Sequence, residues 1–221
     1  MEIYLYTIMK TIYFPACGFG FWYLLGKYEH IREKQFDYIL SGSSAGSLIC
    51  LCSLVDCGDE PFFEIILRIA LDTLSEYNSQ TNFINMYIMI DIFISRLFVR
   101  IDEKNERTQQ QLKRIRIQTT IFHPPFGFEK RQTTPTSLAH LRDLCLASCY
   151  IPFVANMNNC ITYPINGEQH IDGAFADLYI PHIESFCAIS FSGLRIPSRK
   201  TAIKMRNIAY NEPFIINHTL M

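Results

Sequence analysis

Hydrophobic and polar positions change their period several times along this chain, and each change marks an element. Residues 3–15 are rich in Ile, Tyr, Thr and Leu, and the part nearest Phe14 predicts a buried strand. Residues 16–20 read as a loop. Phe21, Leu24, Leu25, Tyr28 and Ile31 then recur at helical spacing, with Lys27, Glu29, Arg32 and Glu33 on the other side, which predicts an amphipathic helix. Residues 36–40 predict a short strand, 41–44 a turn, and 45–55 an apolar helix closed near Gly58.

Pro61 opens a second apolar helix that runs to about Leu74. Residues 83–99 are apolar almost all round; their length favours helix and their β-branching favours strand, and we read them as helix. Residues 102–113 are polar and mixed in charge, the pattern of a solvated helix end or loop. Ile115, Ile117, Thr119 and Ile121 alternate with Arg114, Arg116 and Gln118, as in a half-buried strand. A helix is expected over 137–148, a strand end at His170-Ile171, a turn at Asp172-Gly173 and a last strand over 186–191. The order strand, glycine loop, helix, strand, tight turn, helix predicts an α/β fold: a central, mostly parallel sheet with helices on both faces. Phe14, Leu40 and Ile171 are expected on neighbouring strands.

Composition narrows the class. At 221 residues the chain reads as one domain, 1–221, long enough to bury a core unaided. With 49% hydrophobic and 19% charged residues it is no disordered chain, and a formal net charge of −1 gives no global field directed at nucleic acid. The eight cysteines contain no CxxC pair and follow no metal spacing, so they read as buried thiols of a reducing, cytoplasmic compartment. Two uncharged runs, 11–26 and 38–55, approach membrane-span length. The first holds Pro15, Gly18 and Gly20, and the second five serines and two glycines clustered at a turn, so neither is expected to span. No basic region precedes the first apolar stretch, so no signal peptide is expected.

The candidate chemistry lies in "GSSAGS", residues 42–47. Gly-x-Ser-x-Gly between a strand and a helix is the pattern of a nucleophile held on a strained elbow. The glycines let strand and helix pack closely, and unpaired N–H groups at the helix start favour negative charge near Ser44. Ser44 is the candidate nucleophile, with Gly42, Ala45 and Gly46 as its elbow. "ACGFG" at an earlier strand-to-helix junction and "IDGAFAD" after a later strand have the placement of an oxyanion loop and of an acidic partner. Taken alone, each is also an ordinary turn.

These motifs together resemble the patatin-like phospholipase family, and within it the adiponutrin and adipose triglyceride lipase branch. "FPACGFGFWYLLGKYEHI" is similar to that branch's glycine loop and aromatic-rich helix. "GSSAGSL" resembles its elbow, "CLASCYIPFV" its Cys-Ser-x-x-Ile-Pro helix end, and "HIDGAFAD" its Asp-Gly-Gly/Ala motif. The similarity runs in patches, in order, from about residue 12 to residue 193. It implies a patatin-like three-layer sandwich and a Ser-Asp dyad in which Ser44 attacks an ester carbonyl and Asp172, within the Asp172-Gly173-Ala174 motif, takes its proton. It implies an oxyanion hole of backbone N–H groups at Cys17, Gly18 and Phe19, a glycerolipid substrate, and peripheral contact with a membrane or lipid droplet. It calls for no metal and no cofactor. The loop departs from the branch: it is thinned to Ala16-Cys17-Gly18, and Phe21 replaces its final glycine.

Two other readings stand beside this one. A Ser-His-Asp triad is formally available through His182 or His218, and His170 lies two residues before Asp172. A patatin-like protein impaired in turnover, binding lipid or a partner, would account for the thinned loop. Arg195, Arg199, Lys200, Lys204 and Arg206 stand without an acidic residue among them and are read as a solvated loop or as a membrane-facing patch.

Overall fold

A computed structural model describes residues 10–33, 38–80, 85–125, 127–152, 162–175 and 198–212. Three strands form its spine: β1 (Lys10–Phe14), β2 (Tyr38–Ser43) and β3 (Ile115–His123). β1 and β2 are parallel, with Phe14 beside Gly42, and β2 and β3 are parallel, with Ser43 beside Gln118. α1 (Phe21–Glu33) connects the first pair. Between β2 and β3 lie four helices: α2 (Ala45–Cys52), α3 (Phe62–Gln80), α4 (Met86–Phe98) and α5 (Glu106–Leu112).

The expected α/β architecture is present, but among the described residues its sheet is mixed rather than mostly parallel: two pairings are parallel and three antiparallel. β4 (Gly127–Thr133) and β6 (Glu168–Ile171) both pair antiparallel with β3, and β5 (Tyr163–Ile165) pairs antiparallel with β6. The connections explain this. Parallel strands need a long crossover, whereas β3–β4 and β5–β6 are hairpins with short links. The β5–β6 link is Asn166-Gly167, both at positive φ (49° and 86°), the tight turn whose twist suits a hairpin.

Registers place β6 in an unexpected track. Ile117 and Gln118 pair with β2 and β4 at once, and Thr120 and Ile121 pair with β4 and β6 at once. β4 therefore occupies one edge of β3 while β2 and β6 share the other, end to end. Contrary to expectation, Ile171 is therefore not on a strand flanking that of Leu40. It continues the line of β2 from the opposite direction, and the two carboxyl ends face each other.

α6 (Leu138–Ser148) packs on β3 and touches α2. The core runs through Phe14, Leu25, Ile49, Leu51, Ile66, Leu97, Ile115 and Ile117, all essentially without solvent exposure. Residues 106–112, expected as a helix end or loop, form α5, capped by Asn105 and held by buried Thr108 and Leu112.

The basic segment read as a loop or patch is largely the helix α7 (Arg199–Asn211), N-capped by Ser198. α7 lies along α1. Gly26 is the reason it can: a β-carbon there would sit 2.5 Å from the Arg206 carbonyl oxygen and 3.1 Å from Ala209 Cβ. Arg206 Nε donates to Glu29 Oε2 at 2.6 Å, and its guanidinium stacks over the Tyr210 and Phe63 rings. The expected strand at 186–191 lies outside the described residues. Among the described residues no helix is long and apolar enough to cross a membrane.

Candidate active site

Ser44 sits between the end of β2 and the start of α2 with φ 50° and ψ −124°, a conformation that side chains other than glycine rarely adopt. Packing enforces it. A β-carbon on Gly42 would lie 2.3 Å from the Gly46 carbonyl oxygen, and one on Gly46 would lie 2.0 Å from that of Phe14. Only glycine at both places lets the first turn of α2 press onto β1 and β2. The chain must then reverse within one residue, and that residue is Ser44.

Hydrogen bonds hold the reversal. Ser44 N–H donates to Ser148 Oγ (2.8 Å), and Ser148 Oγ–H donates to the Gln118 carbonyl (2.6 Å). The Ser44 carbonyl accepts from Ser47 N–H (2.9 Å) and Ser47 Oγ–H (2.6 Å). Ser44 itself is 8% exposed and faces a cavity of about 140 Å³. Gly18, Ala45 and Cys149 share that end of the cavity. Its walls are apolar and come from α1, α3 and α4, with Phe21, Ala70, Leu74, Met89 and Phe93 prominent. The two apolar helices after the elbow thus form the wall facing Ser44.

The "ACGFG" loop ends in a single 3-10 turn, Gly18–Gly20, entered by Gly18 at φ 49°. Gly20 N–H closes the turn onto the Cys17 carbonyl (2.8 Å), and Cys17 is buried. Gly18 reaches the same cavity as Ser44. Phe21 begins α1 and packs edge-on against Phe93, which makes it cavity wall.

Asp172 follows β6 and is 2% exposed. Its N–H donates to the Tyr150 carbonyl (2.9 Å), its Oδ1 accepts from Ala174 N–H (2.8 Å), and its Oδ2 is fully buried. Gly173 brings this turn to the elbow: a β-carbon on it would meet Ser43 Cβ at 2.9 Å and the Gln118 carbonyl oxygen at 2.2 Å. Cys149 marks the space between the two motifs. Its thiol contacts the Ser44 side chain and Ser47 Oγ (3.7 Å), and burial together with the Asp172 carboxylate pushes it well above the ordinary thiol range.

Among the histidines, His182 and His218 lie outside the described residues. His170 is buried on β6, with Nδ1 3.0 Å from Thr119 Oγ1 and Nε2 3.7 Å from Glu168 Oε2. Burial lowers its pKa; Glu168 raises it and Arg131 lowers it further. Ser148, Cys149 and Gln118 were not singled out as site residues from sequence. The signal for the first two is the "LASCYIP" stretch, in which a serine and a cysteine close a helix just before a proline. Gln118 had no signal beyond being a polar residue in an alternating strand.

A serine at positive φ between a parallel strand and the helix that follows, opening on an apolar cavity, defines the nucleophile-elbow class of α/β protein. A family model described as patatin-like phospholipase matches residues 14–179. The chain belongs to the patatin-like phospholipase family, which supports lipid acyl hydrolysis as its general chemistry. Among curated proteins none matches the chain significantly.

Proposed function

We propose that the protein hydrolyses carboxylic ester bonds of glycerolipids through an acyl-enzyme, with Ser44 as nucleophile and Asp172 as general base. The observation that carries this reading is the strained Ser44 facing an apolar cavity. Strain at a nucleophile is held by surrounding structure because it exposes Oγ to substrate. The cavity suits an acyl chain, and the membership at residues 14–179 supports lipid as the source of that chain.

The steps balance as follows. Ser44 Oγ attacks the ester carbonyl carbon while its proton passes to Asp172, and the carbonyl oxygen becomes an oxyanion. Backbone N–H groups of Gly18 and its neighbours Cys17 and Phe19, with that of Ala45 at the start of α2, are the donors proposed to receive it. Collapse breaks the ester C–O bond, and the departing alcohol takes the proton from Asp172. Water then attacks the acyl-enzyme, gives its proton to Asp172, and frees the fatty acid as Ser44 recovers a proton.

The motif order supports a place near the adiponutrin and adipose triglyceride lipase branch, and with it acylglycerol or phospholipid as substrate. Lys200 and Lys204 are exposed on α7 and support peripheral contact with an anionic lipid surface, each contributing about 1 kcal/mol. The test is hydrolysis of a panel of tri-, di- and phospho-glycerolipids by purified protein. Ser44→Ala and Asp172→Asn are each expected to remove nearly all turnover in folded protein. Full turnover by either variant would end the dyad reading.

A further inference from the structure

The proposed nucleophile and the proposed base belong to segments 128 residues apart, yet each must be placed to within a fraction of an ångström. What sets their relative position is a closed loop of hydrogen bonds through two other residues. Ser148, the last residue of α6, touches both motifs. Its hydroxyl accepts from Ser44 N–H at 2.8 Å, and its carbonyl accepts from Gly173 N–H at 3.1 Å. Gln118 on β3 ties Ser148 to the second motif. Its carbonyl accepts from Ser148 Oγ–H at 2.6 Å, and its side-chain Nε2–H donates to the Gly173 carbonyl at 2.8 Å.

All of these groups are buried; Gln118 and Ser148 have no measurable exposure. In a dry site such bonds are strong and directional, and leaving one end unmatched costs the full desolvation of that group. The geometry has a further reason to need them. β2 and β6 meet end to end along β3 and share no ladder with each other, so no sheet hydrogen bond fixes the gap between Ser43 and Asp172. Gln118 stands on β3 opposite that gap: it pairs with Ser43, and Thr120, two residues on, pairs with Ile171.

We infer that Ser148 and Gln118 are positioning residues that set the register between Ser44 and Asp172. This rests on the proposed hydrolytic reading. Neither residue meets the substrate: Ser148 acts through the Ser44 backbone, and Gln118 through the Gly173 carbonyl beside Asp172. In this the two differ from residues that merely fill the core. Their loss is felt in kcat, while the cavity that binds the acyl chain is left as it was.

Ser148→Ala keeps the volume nearly unchanged and removes the hydroxyl. Expected is a fall in kcat of about 100-fold with KM within about twofold, and a matching fall in the rate at which a fluorophosphonate labels Ser44. Gln118→Met and Gln118→Glu provide a second route should Ser148→Ala fail to fold. Met removes the donor to Gly173, and Glu restores it only when protonated. The activity of Gln118→Glu relative to wild type therefore rises as pH falls from 8 to 5, while that of Gln118→Met stays low and flat. A folded Ser148→Ala with kcat within threefold of wild type, or Met and Glu variants with the same pH profile, would overturn the inference and leave the hydrolytic reading standing. Wild-type protein without Ser44-dependent turnover would overturn both.

Discussion

Gly46 lies against Phe14 so closely that a β-carbon on the glycine would stand 2.0 Å from the Phe14 carbonyl oxygen. The neighbouring atom is backbone inside a paired strand, so it cannot swing away. Gly46→Ala must push α2 off β1, and overpacking of this kind costs about 3 kcal/mol or more. The variant is expected to show a large drop in thermal midpoint or to be recovered only as aggregate. A well-folded Gly46→Ala with an unchanged midpoint would mean the elbow is looser than described.

The strain at Ser44 makes a second, opposite expectation. A non-glycine residue in such a conformation costs about 1–3 kcal/mol. Ser44→Gly should relieve part of that cost and unfold at a higher temperature than Ser44→Ala, which keeps the β-carbon. Both should lack turnover. Thermal unfolding of the two variants side by side checks it, and equal midpoints would argue against strain at the elbow.

The cavity supports a selectivity prediction. Ala70 on α3 lines it, and Ala70→Phe fills part of the space. One methylene more or less in an apolar pocket changes discrimination by about 10–200-fold. Ala70→Phe should therefore lower kcat/KM for a long-chain 4-nitrophenyl ester at least tenfold relative to the butyrate ester. A parallel loss on both esters would place the acyl chain elsewhere.

His170 predicts a dependence of stability on pH. Its pKa is lowered in the folded protein, by burial first, against an opposing effect of Glu168 and with a smaller lowering by Arg131. Below its ordinary value near 6.5, and above the lowered one, the unfolded chain binds a proton that the folded chain does not. The contribution of His170 is therefore fully present above pH 6.5 and declines as pH falls. Between pH 7.5 and 5.5 the wild-type midpoint should drop more than that of His170→Gln. Parallel curves would remove His170 as the cause.

Arg206 and Glu29 give a contact on the far side of α1. Glu29 is 8% exposed, so Arg206→Leu leaves a carboxylate with little water and without its cation. A destabilisation of about 2 kcal/mol is expected in urea unfolding. Pairing it with Glu29→Leu should recover most of that loss, because the stranded charge is gone.

The elbow and its flanking elements were legible because local chemistry dictates them. The Gly42 to Gly46 spacing, the apolar face of α1 and the apolar run of α2 all speak for themselves within a few residues. Asp172 was found from its motif, but its partner strands were not. Nothing local says that β6 would run end-on to β2, because that depends on which edge of β3 is left open beyond Ser43. The β5–β6 hairpin carries its own notice in Asn166-Gly167, a pair suited to a tight hairpin turn. α7 left little sign for another reason: its close approach to α1 is at Gly26 and Ala209, and small residues leave almost no trace in a hydrophobicity pattern. Ser148 and Gln118 were out of reach because a buried serine or glutamine reads as polar surface until its partners are known.

The seating of α7 on α1 bears on how the molecule comes into being during synthesis. α1 follows directly from the loop that carries Gly18, yet one of its faces waits for residues 199–211, which leave the ribosome some 170 residues later. Until they arrive, Gly26 and Glu29 face water or whatever binds them first. A nascent chain that already holds the elbow and the Asp172 turn still lacks the cover of α1, which stays open to chaperones and to premature association. Translation that stops short of α7 would leave that face of α1 without the helix that covers it.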